Sequence, residues 1–497
     1  MRRTGKLALG IDIGTTGVKV SAVDLVTTRV IATSRENALH SHGPGIAEAS
    51  TSQWHTNVIE CIAELMAHPD IDPATVCAIS STGMVPAVVL VDSSGSVLRN
   101  AILQSDARAT TEIRIVSEAL EGTDPIAATG SAITQQSIAP TTLWLQQHEP
   151  AVLGAARYIV GSYDWVLMAL GAEPHVERNW ALESGLYTIG GDAFAPARHA
   201  GQIGDEQLPP VRDPGTVVGS LRSDLARDLG LPSETALVVG GADHVLSAYS
   251  AGVQSEGDWL IKLGGAGDIL AASTIPITDR RLYLDAHPIP DLWLPNGCMA
   301  TSGSLIRWFQ NLVGGVDLRL LDEEAERESP GEVLCAPYFL GEKSPLHDPD
   351  LRGAFIGMHL GTSRGALYRS VLEAIAFGFR HHVEVFSELG IPLRRAMITN
   401  GGSKSTLWKH IHADVLGVPV HPIRDHPGAS LGAAVLGGVG AGVLASPASI
   451  RDFVNVDEPI LPDASRHRTY DDVYAAWREF TRVTTPTAHY LAEREGR

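Results

Sequence analysis

The sequence predicts an α/β protein built from two large domains, on three observations. Strand-like apolar runs alternate with helix-like runs along the whole chain, which is typical of α/β folds rather than of separate all-α or all-β domains. The chain has 497 residues, 44% of them hydrophobic, and this length exceeds what one core usually supports. A strand entering a glycine-rich turn occurs in each half. We therefore place the two domains at residues 1–250 and 251–497.

The first element, residues 7–20, predicts a strand, a tight turn and a second strand. Its glycines let the backbone come close to a phosphate, and Thr15 and Thr16 add hydroxyl donors. Asp12 can hold a hydrated Mg²⁺ beside the phosphates of ATP. The same pattern is typical of an ordinary β-hairpin turn, so the segment by itself leaves both interpretations open.

The next strands and helices repeat this theme in the second half. Apolar runs predict strands at residues 76–80, 87–91, 236–241 and 259–263. The last of these enters a turn that contains Gly264 and Gly265, after which we interpret Asp268 as a turn or capping residue. Residues 362–388 predict a long helix with one apolar stripe that faces the core. Two similar halves that face one nucleotide would explain the repetition, and chance similarity between glycine-rich turns is the alternative.

Paired glycines also follow a strand near residue 400. Gly401 and Gly402 would let the backbone lie flat against a planar base, and the helix predicted at 407–416 offers free N–H groups at its start. Together with Ser403 they form a candidate adenosine site. A simple turn between a strand and a helix is the alternative.

Asp243 is the best catalytic candidate. The strand at 236–241 delivers it at the carboxyl end, where ligands gather in α/β folds, and a carboxylate there can accept a proton from an attacking hydroxyl. The adjacent His244 could hydrogen-bond a substrate. A structural role for this histidine is the alternative.

Charge and cysteine usage exclude several classes of function. Lys and Arg number 38 against 57 Asp and Glu, a net charge of −19, which works against nonspecific binding to nucleic acid or an anionic membrane. The four cysteines form no CxxC pair, so they indicate neither a zinc site nor a disulfide framework and fit a reducing cytoplasm. The longest apolar stretch, residues 431–445, is too short to span a membrane and predicts a buried helix. The apolar run before Asp12 is too short for a signal peptide.

Taken in order, these segments resemble the FGGY family of carbohydrate kinases, and within it the xylulokinases. The resemblance covers nearly the whole chain and is carried by residues 11–16, 101–108, 240–243, 338–345, 400–403 and 428–434. It implies two ribonuclease-H-like domains of the actin-like ATPase type, which flank a central cleft for ATP and a sugar. It also implies that Asp12 organises Mg²⁺ and that Asp243 is the general base. The implied nucleotide contacts are Thr15, Thr16, Lys19, Gly264, Gly265, Gly401, Gly402 and Ser403.

Two departures from the xylulokinase pattern concern the substrate and phosphate sites. The strand that ends at Gly83 is followed by Met84 and Val85, whereas xylulokinases have a Met-His pair, so we expect these two residues at an apolar sugar site. The turn at Gly264 lacks the threonine of the family. Asp106 matches an acidic sugar contact of the family, and pairing with Arg108 is its alternative.

The resemblance predicts an ATP-dependent kinase that transfers the γ-phosphate to a hydroxyl of a ketose or polyol, with D-xylulose as the first choice. Another sugar, such as ribulose, fuculose, erythritol or a signalling sugar, is the nearest alternative. An actin-like ATPase and a sugar sensor without kinase activity are alternatives of other classes. The predicted partners are ATP and a small sugar, with no nucleic acid and no membrane, and a homodimer is left open.

Overall fold

The computed structural model describes residues 6–40, 45–399, 401–424 and 426–495. The strands in chain order are β1 (Leu7–Ile13), β2 (Gly17–Asp24), β3 (Val30–Glu36), β4 (Leu39–His40), β5 (Glu48–Ala49), β6 (Val76–Gly83), β7 (Val89–Val91), β8 (Ala101–Ile102), β9 (Tyr158–Val160), β10 (Val176–Glu177), β11 (Val211–Arg212), β12 (Val217–Ser220), β13 (Ala236–Ala242), β14 (Asp258–Leu263), β15 (Gly267–Ala271), β16 (Tyr283–Ala286), β17 (Trp293–Met299), β18 (Leu334–Ala336), β19 (Ala354–Ile356), β20 (Arg395–Thr399), β21 (Val420–Arg424) and β22 (Asn455–Val456).

The helices alternate with these strands, as the sequence predicts for an α/β protein. In chain order they are α1 (Thr51–Met66), α2 (Thr110–Ala119), α3 (Pro125–Thr129), α4 (Ile138–His148), α5 (Pro150–Ala155), α6 (Ser162–Leu170), α7 (Arg178–Glu183), α8 (Ala195–Ala200), α9 (Ser223–Leu229), α10 (Asp243–Ser250), α11 (Gly303–Leu312), α12 (Leu318–Glu326), α13 (Arg364–Glu388), α14 (Thr406–Leu416), α15 (Ala429–Gly440) and α16 (Ala464–Glu495). Among the helices of the described ranges, none is long and apolar enough to cross a membrane.

The chain forms two compact units, and each contains its own sheet. Unit 1 comprises Met1–Gln254, Ile275–Leu294 and Pro427–Phe453. Unit 2 comprises Ser255–Thr274, Pro295–His426 and Val454–Arg497. The sequence predicts one boundary near residue 250, whereas the two later segments Ile275–Leu294 and Pro427–Phe453 lie with unit 1.

The sheet of unit 1 has the strand order β12-β13-β6-β1-β2-β3. β1, β2 and β3 are antiparallel neighbours, and β6 and β13 run parallel to β1. In this register Ile13 pairs with Gly83, and Gly83 pairs with Ala242. The carboxyl ends of β1, β6 and β13 therefore lie at the same edge of the sheet.

Helix α15 covers this sheet and confirms the buried helix predicted at residues 431–445 as far as Gly440, where the helix ends. Its apolar side chains are buried against β1, β6, β13 and α10, and burial of each Leu or Val contributes about 1.5–3 kcal/mol. The helix comes so close to β1 that a Cβ at Gly10 would collide with the carbonyl oxygen of Ser430. The hydroxyl groups of Ser21 and Ser430 are 2.8 Å apart. A glycine at position 10 is thus required by packing.

The sheet of unit 2 repeats the topology of unit 1. Its order includes β17-β15-β14-β20-β21-β22. β17, β15 and β14 are antiparallel neighbours, and β20 and β21 run parallel to β14. The set β1, β2, β3, β6 and β13 thus corresponds to β14, β15, β17, β20 and β21. The similarity of the two halves lies in strand order rather than in residue identity.

Unit 2 confirms one predicted element and corrects another. The helix predicted at 362–388 is α13, and its stripe residues Val371, Ile375 and Phe379 are buried. Asp268, interpreted from the sequence as a turn or capping residue, lies inside β15, and its carboxylate is 3.0 Å from the ammonium of Lys262 on β14. The turn ends earlier than expected, since β15 begins at Gly267 and Asp268 pairs in register with Lys262.

Candidate active site

The turn between β1 and β2 carries the predicted phosphate site. The N–H of Gly14 donates to the carbonyl of Gly17 at 2.9 Å and closes the turn. Asp12 and Lys19 face each other across the hairpin as register partners. Together with Thr16 they line an open cavity of about 670 Å³, whose other lining residues are Gly14, Gly17, Val18, Ser34, Arg35, Glu36 and Asn37. The structure therefore brings together three of the predicted residues, and Thr15 lies half-buried in the same turn.

Lys19 is anchored beside Asp12. Its ammonium donates to the carbonyl of Pro427, just before α15. Burial lowers the pKa of Lys19, and the nearby carboxylate of Asp12 counteracts this effect. Asp12 and Lys19 thus place an anionic and a cationic group opposite each other on neighbouring strands of the cavity, a polarity that suits a hydrated cation and phosphate oxygens.

Asp243 lies at the same sheet edge as Asp12. β13 ends at Ala242, and Asp243 is the first residue of α10. Because neighbouring strands are about 4.8 Å apart, the backbones at Asp12 and Asp243, two strands apart, are separated by roughly 10 Å. The side chain of Asp243 is 37% exposed, and the helix N-terminus stabilises its negative charge. Asp243 is thus a partly exposed carboxylate at the sheet edge that also carries Asp12.

His244 connects Asp243 to a group of buried acids. Its Nε2 is 2.7 Å from Asp285 Oδ2 and 3.5 Å from Glu183 Oε1, and its Nδ1 is 3.4 Å from Asp243 Oδ1. Burial opposes the charged form of His244, but Asp285, Glu183 and Asp243 outweigh it and raise the pKa of this imidazole well above its ordinary value. Both ring nitrogens therefore face carboxyl groups, and the predicted hydrogen bond from His244 to a sugar stays untested.

A layer of hydrogen bonds supports this cluster. Glu177, which precedes α7, accepts from the hydroxyl of Tyr163 at 2.9 Å and from the N–H of Trp180. Burial raises the pKa of Glu177 to about 7. The amide of Asn179 makes two hydrogen bonds with the backbone of Ala286, at 2.7 and 3.1 Å. β16, which carries Asp285, is thereby fixed to α7.

Two places in unit 1 offer ligand atoms that could bind a cation. Ligand-type atoms of Glu183, His244 and Asp285 lie within 4.8 Å of one another. The short hydrogen bond to Asp285 occupies the imidazole nitrogen, so we interpret these three residues as an ion cluster. Asp12, which lines the polar cavity, is the better fit for Mg²⁺ because this ion prefers carboxylate and water oxygens.

The predicted sugar-side residues are buried in unit 1. Met84 and Val85 are 2% and 6% exposed, and the hydroxyl of Ser162 donates to the carbonyl of Met84 at 3.0 Å. Asp106 accepts from the N–H of Ala47 at 2.7 Å and from the guanidinium of Arg108 at 2.7 and 2.8 Å. Of the two interpretations of Asp106, the structure shows pairing with Arg108. A sugar contact would require this network to open.

In unit 2, the turn at Gly264 and Gly265 packs on the start of α11. The carbonyl of Gly265 accepts from the N–H groups of Ser302 and Ser304, and that of Gly264 accepts from Gly303. A Cβ at position 265 would be 3.4 Å from Nη2 of Arg307. A guanidinium thus lies beside the turn that lacks a threonine hydroxyl.

Comparison with known proteins identifies the family. The model of the FGGY family of carbohydrate kinases, N-terminal domain, matches residues 7–250, and the C-terminal domain model matches residues 276–441. The chain belongs to the FGGY family of carbohydrate kinases. It is therefore an ATP-dependent sugar phosphotransferase, as the resemblance implies.

Relatives of this FGGY kinase differ in the substrates that they are named for. Xylulose kinase of Staphylococcus epidermidis is 28% identical over 494 residues, which cover 96% of this chain and 97% of the relative. Autoinducer-2 kinase of Escherichia coli is 26% identical over 495 residues, with coverage of 95% and 93%. The crystal structure of xylulose kinase from Rhodospirillum rubrum is 37% identical and has a TM-score of 0.90, with coverage of 97% and 100%. Gluconate kinase from Lactobacillus acidophilus, 20% identical with a TM-score of 0.90, shows the same fold.

The predicted adenosine segment of the kinase follows β20. Gly401, Gly402 and Ser403 lie in a 3₁₀ turn, Gly401–Lys404, between β20 and α14. A Cβ at Gly402 would collide with the ring of Trp408, whereas a Cβ at Gly401 would meet open space. Packing of Trp408 thus requires a glycine at 402, independently of any nucleotide. Asn400 and the side chain of Ser403 lie outside the described part of the chain.

Sequence reasoning missed Glu183, Asp285 and Arg307. None of them belongs to a glycine-rich motif, and Asp285 is 41 residues from its partner His244. Their positions follow from tertiary packing of α7, β16 and α11. The one available signal was the histidine directly after Asp243, which requires a partner when it is buried.

Proposed function

We propose that this kinase transfers the γ-phosphate of ATP to a hydroxyl of a ketose, with D-xylulose as the first choice and Asp243 as the general base. The observation that carries the proposal is the register of β1, β6 and β13, in which the residues following or ending these strands share one sheet edge. Asp12 and Asp243 then lie on either side of the reacting groups. Phosphoryl transfer needs mainly such positioning and charge compensation.

In the proposed step, a hydroxyl oxygen of the sugar attacks the γ-phosphorus. The hydroxyl proton passes to the carboxylate of Asp243, and the bond from the γ-phosphorus to the bridging oxygen breaks, so ADP leaves with that electron pair. When bound, Mg²⁺ would neutralise the phosphate charge. Asp12 would hold it through water, because the Asp12 carboxylate lines a polar cavity large enough for a hydrated ion.

The relatives and the apolar residues after β6 support the choice of substrate. Xylulose is the substrate in the names of several relatives, which supports a ketose. A relative named for autoinducer-2 keeps a signalling sugar as the alternative. Met84 and Val85 offer no polar side chain to read hydroxyl stereochemistry, and an apolar wall contributes only ~1–3 kcal/mol of discrimination. We therefore expect kcat/KM values for several ketoses and polyols within about two orders of magnitude.

The test is a coupled assay of ADP release on purified enzyme with D-xylulose, two epimeric pentuloses, erythritol and gluconate. ADP release should rise only when a sugar is added, and D-xylulose should give the highest kcat/KM. Asp243→Asn should lower kcat by roughly 10²-fold or more while sugar binding is largely kept, because the proton acceptor is lost and the side-chain shape remains. Sugar-independent ATP hydrolysis, or a D243N enzyme within a few-fold of wild type, would overturn the proposal.

A further inference from the structure

We propose that His244 is a positioning residue for the general base, held between Asp285 and Glu183 so that its Nδ1–H fixes one oxygen of the Asp243 carboxylate. The proposal rests on the proposed function of Asp243. It gives a catalytic reason for the acidic cluster in unit 1.

The geometry of the first turn of α10 supports this role. Side chains of consecutive helical residues normally point about 100° apart and do not meet. Here Asp243 Oδ1 and His244 Nδ1 are 3.4 Å apart, while Nε2 on the other side of the ring is 2.7 Å from Asp285 Oδ2. An imidazole can donate from both nitrogens only when it is doubly protonated. The position of the ring therefore fits a cation bridging two carboxylates.

Among the described residues, the charged groups that the structure places against His244 are carboxyl groups. They are Asp243 on α10, Glu183 on α7 and Asp285 on β16. Glu177, at the start of α7, acts in turn on Glu183. These acids favour the protonated imidazole and outweigh the cost of burial, so the pKa of His244 lies well above its ordinary value.

Asp285, the partner of the Nε2 atom of His244, is itself held in a fixed position. The side chain of Asp285 is fully buried, and the neighbouring Ala286 is hydrogen-bonded through both backbone groups to the amide of Asn179. Asn179 also donates to Glu177 at 3.1 Å. A fixed Asp285 fixes the imidazole, and the imidazole restricts rotation of the Asp243 carboxylate. Such support of a reacting group by an outer layer of hydrogen bonds affects turnover more than substrate binding.

Two amide variants distinguish the roles of the two ring nitrogens of His244. In His244→Asn the amide N–H can replace Nδ1–H toward Asp243, whereas in His244→Gln the amide reaches toward Asp285 and the donor to Asp243 is lost. We expect kcat of H244Q to fall about tenfold or more, kcat of H244N to fall less, and KM for the sugar to change less than about threefold in both. Equal kcat for H244N, H244Q and wild type would overturn the proposal.

A pH profile distinguishes positioning from a merely structural role. In Asp285→Asn the shape of the partner remains, but His244 loses a negative neighbour and becomes easier to deprotonate. When His244 loses its proton, Asp243 loses its charged donor, so the alkaline limb of kcat/KM should move to lower pH than in wild type. An unchanged limb with uniformly lower activity would show that Asp285 only supports the fold.

A measurement on wild type reports the protonation state of the His244 ring directly. The ¹⁵N imidazole signals of wild type, with His244 assigned by difference from H244N, should show a doubly protonated ring at a pH above the ordinary histidine pKa of about 6.5. A neutral tautomer there would overturn the proposal. Failure of the proposed function is recognised separately, as wild type without sugar-dependent ADP release or D243N with near wild-type activity.

Discussion

At the scale of single residues, Arg307 offers a charge where the turn of unit 2 lacks a hydroxyl. Its guanidinium lies beside Gly265, on the exposed side of α11. A guanidinium donates charge-assisted hydrogen bonds to phosphate oxygens that a backbone N–H alone matches only in part. We therefore expect Arg307, from another element, to contact phosphate in place of the family threonine.

We expect Arg307→Ala to raise KM for ATP about tenfold, because one charge-assisted contact to phosphate is lost. KM for the sugar should stay nearly constant. Steady-state kinetics with ATP varied at saturating sugar measures the effect, with Arg319→Ala on the exposed face of α12 as the matched control. If R307A and R319A have the same KM for ATP, Arg307 does not contact phosphate, and backbone groups alone bind it at this turn.

At the scale of elements, the buried carboxylate of Glu342 holds the segment after β18 against the end of β17 through hydrogen bonds. Oε1 of Glu342 accepts from the N–H groups of Ala300 at 2.7 Å and Lys343 at 2.9 Å. Ser344 accepts from the N–H of Cys298 at 2.7 Å. Burial raises the pKa of Glu342 from 4.5 to about 7, and the two backbone donors offset only part of this effect.

This raised pKa predicts a pH-dependent stability of unit 2. Below pH 4.5 Glu342 is protonated in the folded and unfolded states, and between pH 4.5 and about 7 only the unfolded state ionises. Wild type should therefore lose up to roughly 3 kcal/mol across that window, which Glu342→Gln avoids because its amide oxygen still accepts both hydrogen bonds. Urea midpoints at pH 5 and pH 8 measure this, with the exposed Glu323→Gln as control. If the urea midpoints of E342Q and wild type differ by the same amount at pH 5 and pH 8, burial does not raise the pKa of Glu342.

At the scale of the whole molecule, the sequence predicts elements whose pattern is local. The hairpin of β1 and β2, the strand before Asp243 and helix α13 follow from apolar periodicity and glycine punctuation. Asp268 was misinterpreted because its partner Lys262 lies on the opposite strand, across the turn. Asp285 and Glu183 were missed because only tertiary packing brings them to His244. The local pattern thus identifies Asp243 as the proposed base. The residues that hold it in place, Asp285 and Glu183 through His244, depend on long-range contacts.

The two units also divide the chain in a way that no composition shift indicates. Helix α15 belongs to unit 1, although it follows most of unit 2 in sequence. Its buried residues Ala433, Ala434, Val435 and Leu436 are fully enclosed. Without α15, the apolar faces of β1 and β6 that it covers would be exposed to water.

We therefore expect a chain that ends at Gln254 to lack a cooperative core, although it contains every strand of the unit 1 sheet. It should bind a hydrophobic dye and unfold without a sharp transition, because loss of several buried side chains at ~1.5–3 kcal/mol each exceeds the usual net stability of a domain. The matched control joins residues 1–254, 275–294 and 427–453 through flexible Gly/Ser linkers, and it should unfold cooperatively. Calorimetry and dye binding compare the two chains. Cooperative unfolding of the shorter chain at the same midpoint would show that unit 1 folds without α15.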